Sequence, residues 1–334
     1  MQSCDLTVMI PARSEIWLRR TIEDIIEHSE ADTEIIAVLD GAWAEPSIPQ
    51  HPMVNVIYLP EPIGQRAATN MAARLARGKY VAKVDAHCSF DQGWDRKMLE
   101  GFEVMGDNTI MVPIMKNLWA FDWKCMKCGL RTYQGPTPKK CTTCGGTDIR
   151  KKTVWKAKDS LTKSETHKSG KGPLSTSFCF DSEPHFQYFN EWTKTETYQE
   201  QKKMGYTETM SLQGSFFMCT KEKYFELNLC DESFGSWGNQ AIEISTKFWL
   251  TGGKVICNHH TFYGHLFRTQ GGDFSFPYSN PESEIKKTKS KIRDQVFKNQ
   301  IPGQIHDVSW LVEKFWPVKG WSSTDLDKLK AGTL

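Results

Sequence analysis

The sequence predicts an α/β fold: a mostly parallel sheet flanked by helices, with a four-cysteine zinc ribbon inserted into it. Three observations predict this. Short apolar strands alternate with amphipathic helices through residue 118, the pattern of a parallel sheet covered on its faces. That pattern stops at residue 119, and a globular one returns near residue 186. Between the two lies a polar, basic stretch holding two C-x-x-C pairs.

The elements follow in order. "LTVMIPA" (6–12) is an apolar strand. "SEIWLRRTIEDIIEHS" (14–29) places Ile16, Leu18, Ile22, Ile25 and Ile26 near one helical face, with Ser14 as N-cap. "EIIAVLDG" (34–41) and "VNVIYLP" (54–60) are the next strands. "QRAATNMAARLARG" (65–78) is an Ala-rich helix with Gly78 as its C-terminal stop. "KYVAKVDAH" (79–87) is a fourth strand. Ligands of such sheets bind off the carboxyl ends of the strands, where Asp40 and Asp85 fall. Further on, "FQYFNEW" (186–192) and "SLQGSFFMCTKEKYFEL" (211–227) are globular in pattern. In 237–257, Ile242, Ser245, Phe248 and Trp249 suit a helix that ends at Gly252-Gly253 and precedes a strand. A charged helix at 282–299 leads into a Trp-rich tail.

The chain has 334 residues, 25% of them charged, and a net charge of +2, so no global polyelectrolyte character points to a partner. "MQSCDLTVMI" is too short and polar for a signal peptide, and no apolar run reaches the roughly 18 residues of a membrane span. These features lead us to expect a soluble, cytoplasmic protein with no membrane partner.

"VDAHCSF" (84–90) sets a carboxylate and an imidazole two residues apart at a strand end, where positions i and i+2 share a face. Asp85 and His87 so placed suit a divalent cation; hard oxygen plus intermediate nitrogen accepts manganese more readily than an all-oxygen calcium site does. A third candidate ligand, His265, stands in "YGHLFR" (263–268).

At this point a family resemblance emerges. "GKYVAKVDAHCSFDQGW" resembles the metal-binding strand of the polypeptide N-acetylgalactosaminyltransferases, which read D-[AS]-H-C with G-W shortly after. "SWGNQAIEISTKFWLTGG" is similar to their W-G-G-E-N-x-E-[IL]-S stretch, "GHLFR" to their G-H-V-F-R, and "LQGSFFMCTKEKYF" to their A-G-G-L-F segment. The blocks keep the family's order and cover most of 5–118 and 186–277.

The resemblance implies a GT-A glycosyltransferase, Rossmann-like in its sheet, using a UDP-sugar donor. It implies an Mn²⁺ (or Mg²⁺) ion held by Asp85, His87 and His265 against the diphosphate. It also implies that Asp40 and Arg66 contact the nucleoside, that Trp237 lies beside the diphosphate or sugar, and that Arg268 adds a positive group. The chain would divide into a nucleotide-sugar half (1–118), the basic ribbon (119–172), an acceptor-side half (173–277) and a helical C-terminal extension (278–334).

Departures from the family pattern bear on mechanism. Its E-N-x-E reads Gln240, Ala241, Ile242, Glu243 here, so only the second acid survives. Glu243 has either a role in the site or an internal hydrogen bond in its helix. An inverting enzyme needs a carboxylate base, which Gln240 cannot be, so retention of configuration is expected. Phe274 takes the place of a tyrosine that contacts the donor, and the sugar can therefore differ from N-acetylgalactosamine. His259 and His260 precede the His265 block, and strand alternation lets only some of these face the site.

Cys125, Cys128, Cys141 and Cys144 make two knuckles that suit tetrahedral Zn²⁺ in a closed, structural site. Zinc would fold a segment too small and polar to bury a core. The insert holds 13 Lys/Arg against 4 Asp/Glu, and "RKKTVWKAK" (150–158) sets Trp155 among lysines. It is either a staple or a grip on a polyanion. The favoured acceptor is DNA bearing a 5-hydroxymethylpyrimidine, as in phage-type base modification, met single-stranded or flipped out. A protein Ser/Thr hydroxyl is the alternative that the resemblance suggests most directly. A third reading is an inactive glycosyltransferase-like nucleic-acid-binding protein.

Overall fold

The computed structural model describes residues 3–118, 121–133, 138–153, 174–268 and 282–334. Strands β1 (Cys4–Ala12), β2 (Thr33–Asp40), β3 (Val54–Leu59) and β4 (Gly78–Val84) alternate with helices α1 (Leu18–His28) and α2 (Gln65–Leu75). They pair in parallel in the order β3-β2-β1-β4, so the order reverses between β1 and β4. A crevice for a ligand opens at such a reversal, beyond the carboxyl ends of the strands.

Next come β5 (Cys88–Phe90), α3 (Trp94–Met105) and β6 (Thr109–Asn117), which the sequence reading had not marked as elements. The insert follows: β7 (Phe121–Cys125), β8 (Arg131–Tyr133) and β9 (Ile149–Thr153) form a separate antiparallel sheet in the order β8-β7-β9. The chain returns through β10 (Leu174–Ser175), which pairs with β6, and a β11 (Phe178–Phe180) and β12 (Phe186–Tyr188) hairpin. Helix α4 (Glu196–Lys203), β13 (Tyr206–Glu208), β14 (Phe216–Thr220), α5 (Lys221–Glu226), α6 (Gln240–Leu250) and β15 (Lys254–His265) complete the second half. Helices α7 (Glu282–Ile292), α8 (Val308–Lys314) and α9 (Ser323–Lys330) end the chain.

The two expected halves share one sheet. Strand β14 lies antiparallel between β4 and β6, and β15 runs parallel to β6. The carboxyl ends of β1, β4, β6 and β15 therefore point the same way. Period-2 alternation feeds a separate core on each face. In β2, Ile36 and Val38 join one core, while Ile35, Ala37 and Leu39 join the other. Helices α1 and α3 cover the second core; α2, α6 and α8 cover the first. The C-terminal segment belongs to that first core and is no appendage: Trp321 Nε1 donates to Phe180 O (2.8 Å), and Ile305 N donates to Leu250 O (2.7 Å).

Three local expectations are corrected. Ser14 is not an N-cap; it adopts a left-handed φ of 49°, and the helix starts at Leu18. That turn swings Glu15 out of the helix and into the site described below. Gly78 does not stop α2 but opens β4, where a Cβ would lie 2.6 Å from Thr7 N on the adjacent strand. The fourth strand ends at Val84, so Asp85 and His87 stand in the turn just past it. Among the described residues, no helix is long and apolar enough to cross a membrane.

Candidate active site

The crevice at the β1/β4 reversal holds a cavity of about 600 Å³. Its floor includes Asp85, His87 and His265, whose ligand atoms all lie within 4.8 Å of one another. The fold brings them together from positions 180 residues apart. Asp85 and His87 follow β4; His265 ends β15, paired with Cys88 of β5 on one side and Asn117 of β6 on the other. His265 Nε2 lies 3.2 Å, and His87 Nε2 3.8 Å, from Asp85 Oδ2. One carboxylate oxygen and two imidazole nitrogens facing one point is a donor set that fits a Mn²⁺-like ion.

Two residues absent from the sequence-based site hold these donors in place. Glu15 is buried; its Oε2 lies 2.9 Å from His87 Nδ1 and also pairs with Arg268, while Oε1 accepts from Trp17 N at 3.1 Å. A proton on His87 Nδ1 leaves Nε2 free to ligate, the carboxylate–histidine arrangement that fixes a ligand's tautomer. Lys83, fully buried, donates to Asp85 Oδ1 and, at 2.7 Å, to Gly214 O. Period 2 along "KVDAH" was the available signal, since Lys83, Asp85 and His87 are two apart. Burial pushes the Asp85 pKa up, but the Lys83 ammonium beside it and the two imidazoles outweigh that and hold it well below the carboxylate range. Burial drives His265 down to about 4, so its imidazole is neutral at pH 7 and able to bind a cation.

The opposite wall is the loop before α6, with Ser236, Trp237, Gly238 and Asn239 on the cavity. Trp237 thus lines the site. Its loop is tied from two sides: Thr288 Oγ1 of α7 donates to Phe234 O (2.8 Å) and Trp237 O (3.2 Å), and Arg66 Nη2 of α2 donates to Gly238 O (2.7 Å). Gly64, at φ +93°, lets the two walls meet; a Cβ there would lie 2.7 Å from Ser236 Cβ.

Here Arg66 and Glu243 depart from the expected contacts with ligand. Arg66 is 1% exposed and pairs with Glu243, which also binds Lys247 Nζ (2.8 Å) and accepts from Asp231 N (3.0 Å). Neither lines the cavity; together they brace the loop that carries Trp237. Gln240 reaches the cavity edge, but its Nε2 turns away to Cys230 Sγ (2.9 Å). Asp40 lines the cavity with both oxygens already accepting, from Ile63 N and from Gly64 N at 3.0 Å. Arg268 lies on the rim, paired with Glu15. His259 bonds Thr207 Oγ1 (2.8 Å), and neither it nor His260 lines the cavity. Phe274 and Trp155 lie outside the described residues.

The insert's four thiols also lie within 4.8 Å of one another, with Cys125 Sγ 3.6 Å from Cys144 Sγ and Cys128 Sγ 3.5 Å from Cys141 Sγ. Each pair closes a turn at the glycine that follows it: Gly129 N donates to Cys125 O, and Gly145 N to Cys141 O, both at 2.9 Å. The Cys144 and Thr143 backbone N–H groups, aimed at Cys141, hold its thiol down at about 6 against the opposing effect of burial. Both legs of the insert root at the cleft: Leu118 N donates to His265 O (2.8 Å), and Leu174–Ser175 pairs with Lys116 and Met115.

Comparisons with known proteins agree with this fold. Residues 7–127 match the model of the glycosyl transferase family 2 domain, a stretch that includes Asp85 and His87. A crystal structure of GalNAc-T7 with UDP, GalNAc and Mn²⁺ superposes with TM-score 0.59 at 16% identity, covering 99% of this chain and 54% of that one. The chain has a GT-A fold. In sequence it resembles polypeptide N-acetylgalactosaminyltransferase 3 of Taeniopygia guttata, 24% identical over 298 residues (86% of this chain, 41% of that protein). The Homo sapiens protein of the same name is 23% identical over 298 residues (86% and 40%). The chain thus spans less than half the length of these relatives.

Proposed function

We propose that this GT-A domain transfers a sugar from a UDP-sugar to a hydroxyl group of a macromolecule, with a divalent cation at Asp85, His87 and His265. The convergence of those three donors on the floor of the β1/β4 crevice carries the reading. A bound Mn²⁺ ion would stabilise the charge that builds on the departing diphosphate. This chain's own groups do the rest. Glu15 orients His87, Lys83 fixes Asp85, and the Arg66–Glu243 pair holds the Trp237 wall. The first turn of α6, whose N-cap makes no side-chain bond, faces the cavity with the dipole sign that favours phosphate.

Retention of configuration is the outcome that the state of the lining carboxylates favours. Glu15 is engaged by His87 and Arg268, Asp85 by Lys83 and His265, and Asp40 by two backbone N–H groups. Among the described lining residues, no carboxylate is left to take a proton from an acceptor, as inversion requires.

For the acceptor we favour DNA bearing a 5-hydroxymethylpyrimidine, which sets the protein in a cytoplasm, that of the host if phage-encoded. The observation behind it is the insert, expected to hold Zn²⁺ on its four cysteines: exposed Lys127, Lys139, Lys140, Arg150 and Lys151 project from a small sheet rooted beside His265. A protein Ser/Thr hydroxyl is the second reading, favoured by the names of the relatives. The test incubates protein and Mn²⁺ with a panel of UDP-sugars and, separately, hydroxymethylated DNA and Ser/Thr peptides, read by mass spectrometry. A hexose-type mass on DNA supports the first reading and one on peptide the second. No Mn²⁺-dependent consumption of any UDP-sugar would overturn the enzymatic reading.

A further inference from the structure

Lys83 is the least expected residue in the sheet. It sits inside a parallel strand, 0% exposed, with Met9 of β1 and Phe217 of β14 as its register neighbours. Burying an ammonium is costly, and an apolar side chain would pack between such neighbours without that cost. Folding alone therefore does not account for a lysine here. Its partners do: Nζ bonds Asp85 Oδ1, from the ligand cluster, and Gly214 O, from the cavity wall. One oxygen of Asp85 is thereby taken, and Oδ2 alone faces the two imidazoles.

The charge count follows. The three donors comprise one carboxylate and two imidazoles, a net of −1 when the imidazoles are neutral. The buried ammonium cancels it. Behind His87 the Arg268–Glu15 pair is neutral as well. Asp40 and Arg13, also on the cavity, are of opposite charge, so a divalent ion entering this set is held by the three donors without a net charge behind them, and it keeps its charge for an anion placed against it.

We infer that Lys83 is a positioning residue that offsets the charge of Asp85, so that the site binds a divalent cation weakly by itself and tightly only together with a nucleoside diphosphate. The inference rests on the cation reading of the site. It makes the ion and the diphosphate cooperative ligands, and by linkage each raises the other's affinity by the same factor.

The test titrates Mn²⁺ into the protein with and without UDP, following free Mn²⁺ by electron paramagnetic resonance. The wild type should bind Mn²⁺ at least about tenfold tighter with UDP present. Lys83→Gln keeps donors for Gly214 O and Asp85 but removes the charge. It should bind Mn²⁺ alone at least about tenfold tighter than wild type, with a smaller gain from UDP. Lys83→Arg, which keeps the charge, should retain the larger gain. A merely structural lysine predicts the opposite sign, a weaker site in Lys83→Gln; equal or weaker Mn²⁺ binding by a variant that melts cooperatively overturns the inference. Should Lys83→Gln not fold, the wild type decides alone: tight Mn²⁺ binding that UDP does not improve overturns it too. No Mn²⁺ binding under any condition instead removes the cation reading beneath it.

Discussion

The four thiols of the insert and the Asp85–His87–His265 cluster each gather within 4.8 Å, yet their surroundings differ. The thiols sit on a small sheet whose buried side chains, among those described, are Trp123, Cys125 and Cys141. Among the described residues that segment has strand pairing and little buried apolar surface, and four thiolates would close a tetrahedral shell around Zn²⁺. The cleft cluster is built the other way. Its donors project from a sheet with a core on each face, and Glu15 and Lys83 hold them from behind. It has three donors and a cavity above them, so coordination positions remain for substrate. The difference teaches that, with an ion bound, one cluster would make the structure around it while the other would use a structure already made.

The sharpest way to break that contrast is Asp85→Asn. It should lower Mn²⁺-dependent turnover of UDP-sugar by about 10³-fold, the scale of losing a key electrostatic contact to the developing charge. Zinc content, measured by atomic absorption, should stay that of the wild type. Retained turnover would mean the cleft cluster is not the cation site.

Next in size is the converse change. Cys141→Ser should abolish zinc binding and unfold the insert, because binding energy at such a site is folding energy. The main thermal transition should persist, and UDP-sugar hydrolysis without acceptor should stay within about twofold, since the cleft keeps its own core. Transfer to the macromolecular acceptor should be the activity lost. On DNA, the wild type's log affinity should fall steeply with log salt, and the variant's slope should flatten. Loss of hydrolysis along with zinc would show that the two regions are not independent.

A smaller effect sharpens the role of the outer carboxylate. Glu15→Gln should weaken Mn²⁺ binding by about 10–100-fold, as removal of a carboxylate behind a ligating histidine does. The insert's zinc should not respond. Isothermal titration in the presence of UDP reads it directly, and an unchanged affinity would return Glu15 to a purely structural pairing with Arg268.

How much of this was legible in the sequence divides along the same line. The cysteine knuckles were readable because all their ligands lie within twenty residues and each pair carries its own glycine. Asp85 and His87 were readable for the same reason, and His265 through the family pattern around it. The supports were harder. Glu15 sat in what read as a helix, and only the left-handed Ser14 turns it out. Arg66 and Glu243 are 177 residues apart, and charge pairing over that span has no periodic signature. Both read as site residues through the family pattern, and their neighbours Gln65 and Ile242 do line the cavity. Strand alternation gave the parallel sheet, while the antiparallel insertion of β14 between β4 and β6 depends on long-range pairing that local pattern does not encode.

The smallest predicted effect separates loss of a metal in acid from loss of the fold. His259 shares β15 with His265 but does not line the cavity. Burial, with Lys202 and His260 adding repulsion, lowers its pKa to about 4, and the groups it meets are Thr207 Oγ1 and the Tyr198 ring, neither of which compensates a positive charge. Its folded pKa lies below the unfolded value near 6.5, so between those values the unfolded chain binds more protons. Stability is then full above about pH 6.5 and falls as the pH drops toward 4, by about 1 kcal/mol between pH 7 and 5.5. His259→Gln should remove about half of the fall that the two buried histidines give the urea-unfolding profile, since burial lowers His265 to about 4 as well. Activity lost below pH 6 in this variant, where the fall in stability is the part His265 contributes, then belongs to the open cation site; a profile as steep as the wild type's would mean that His259 carries none of the acid sensitivity.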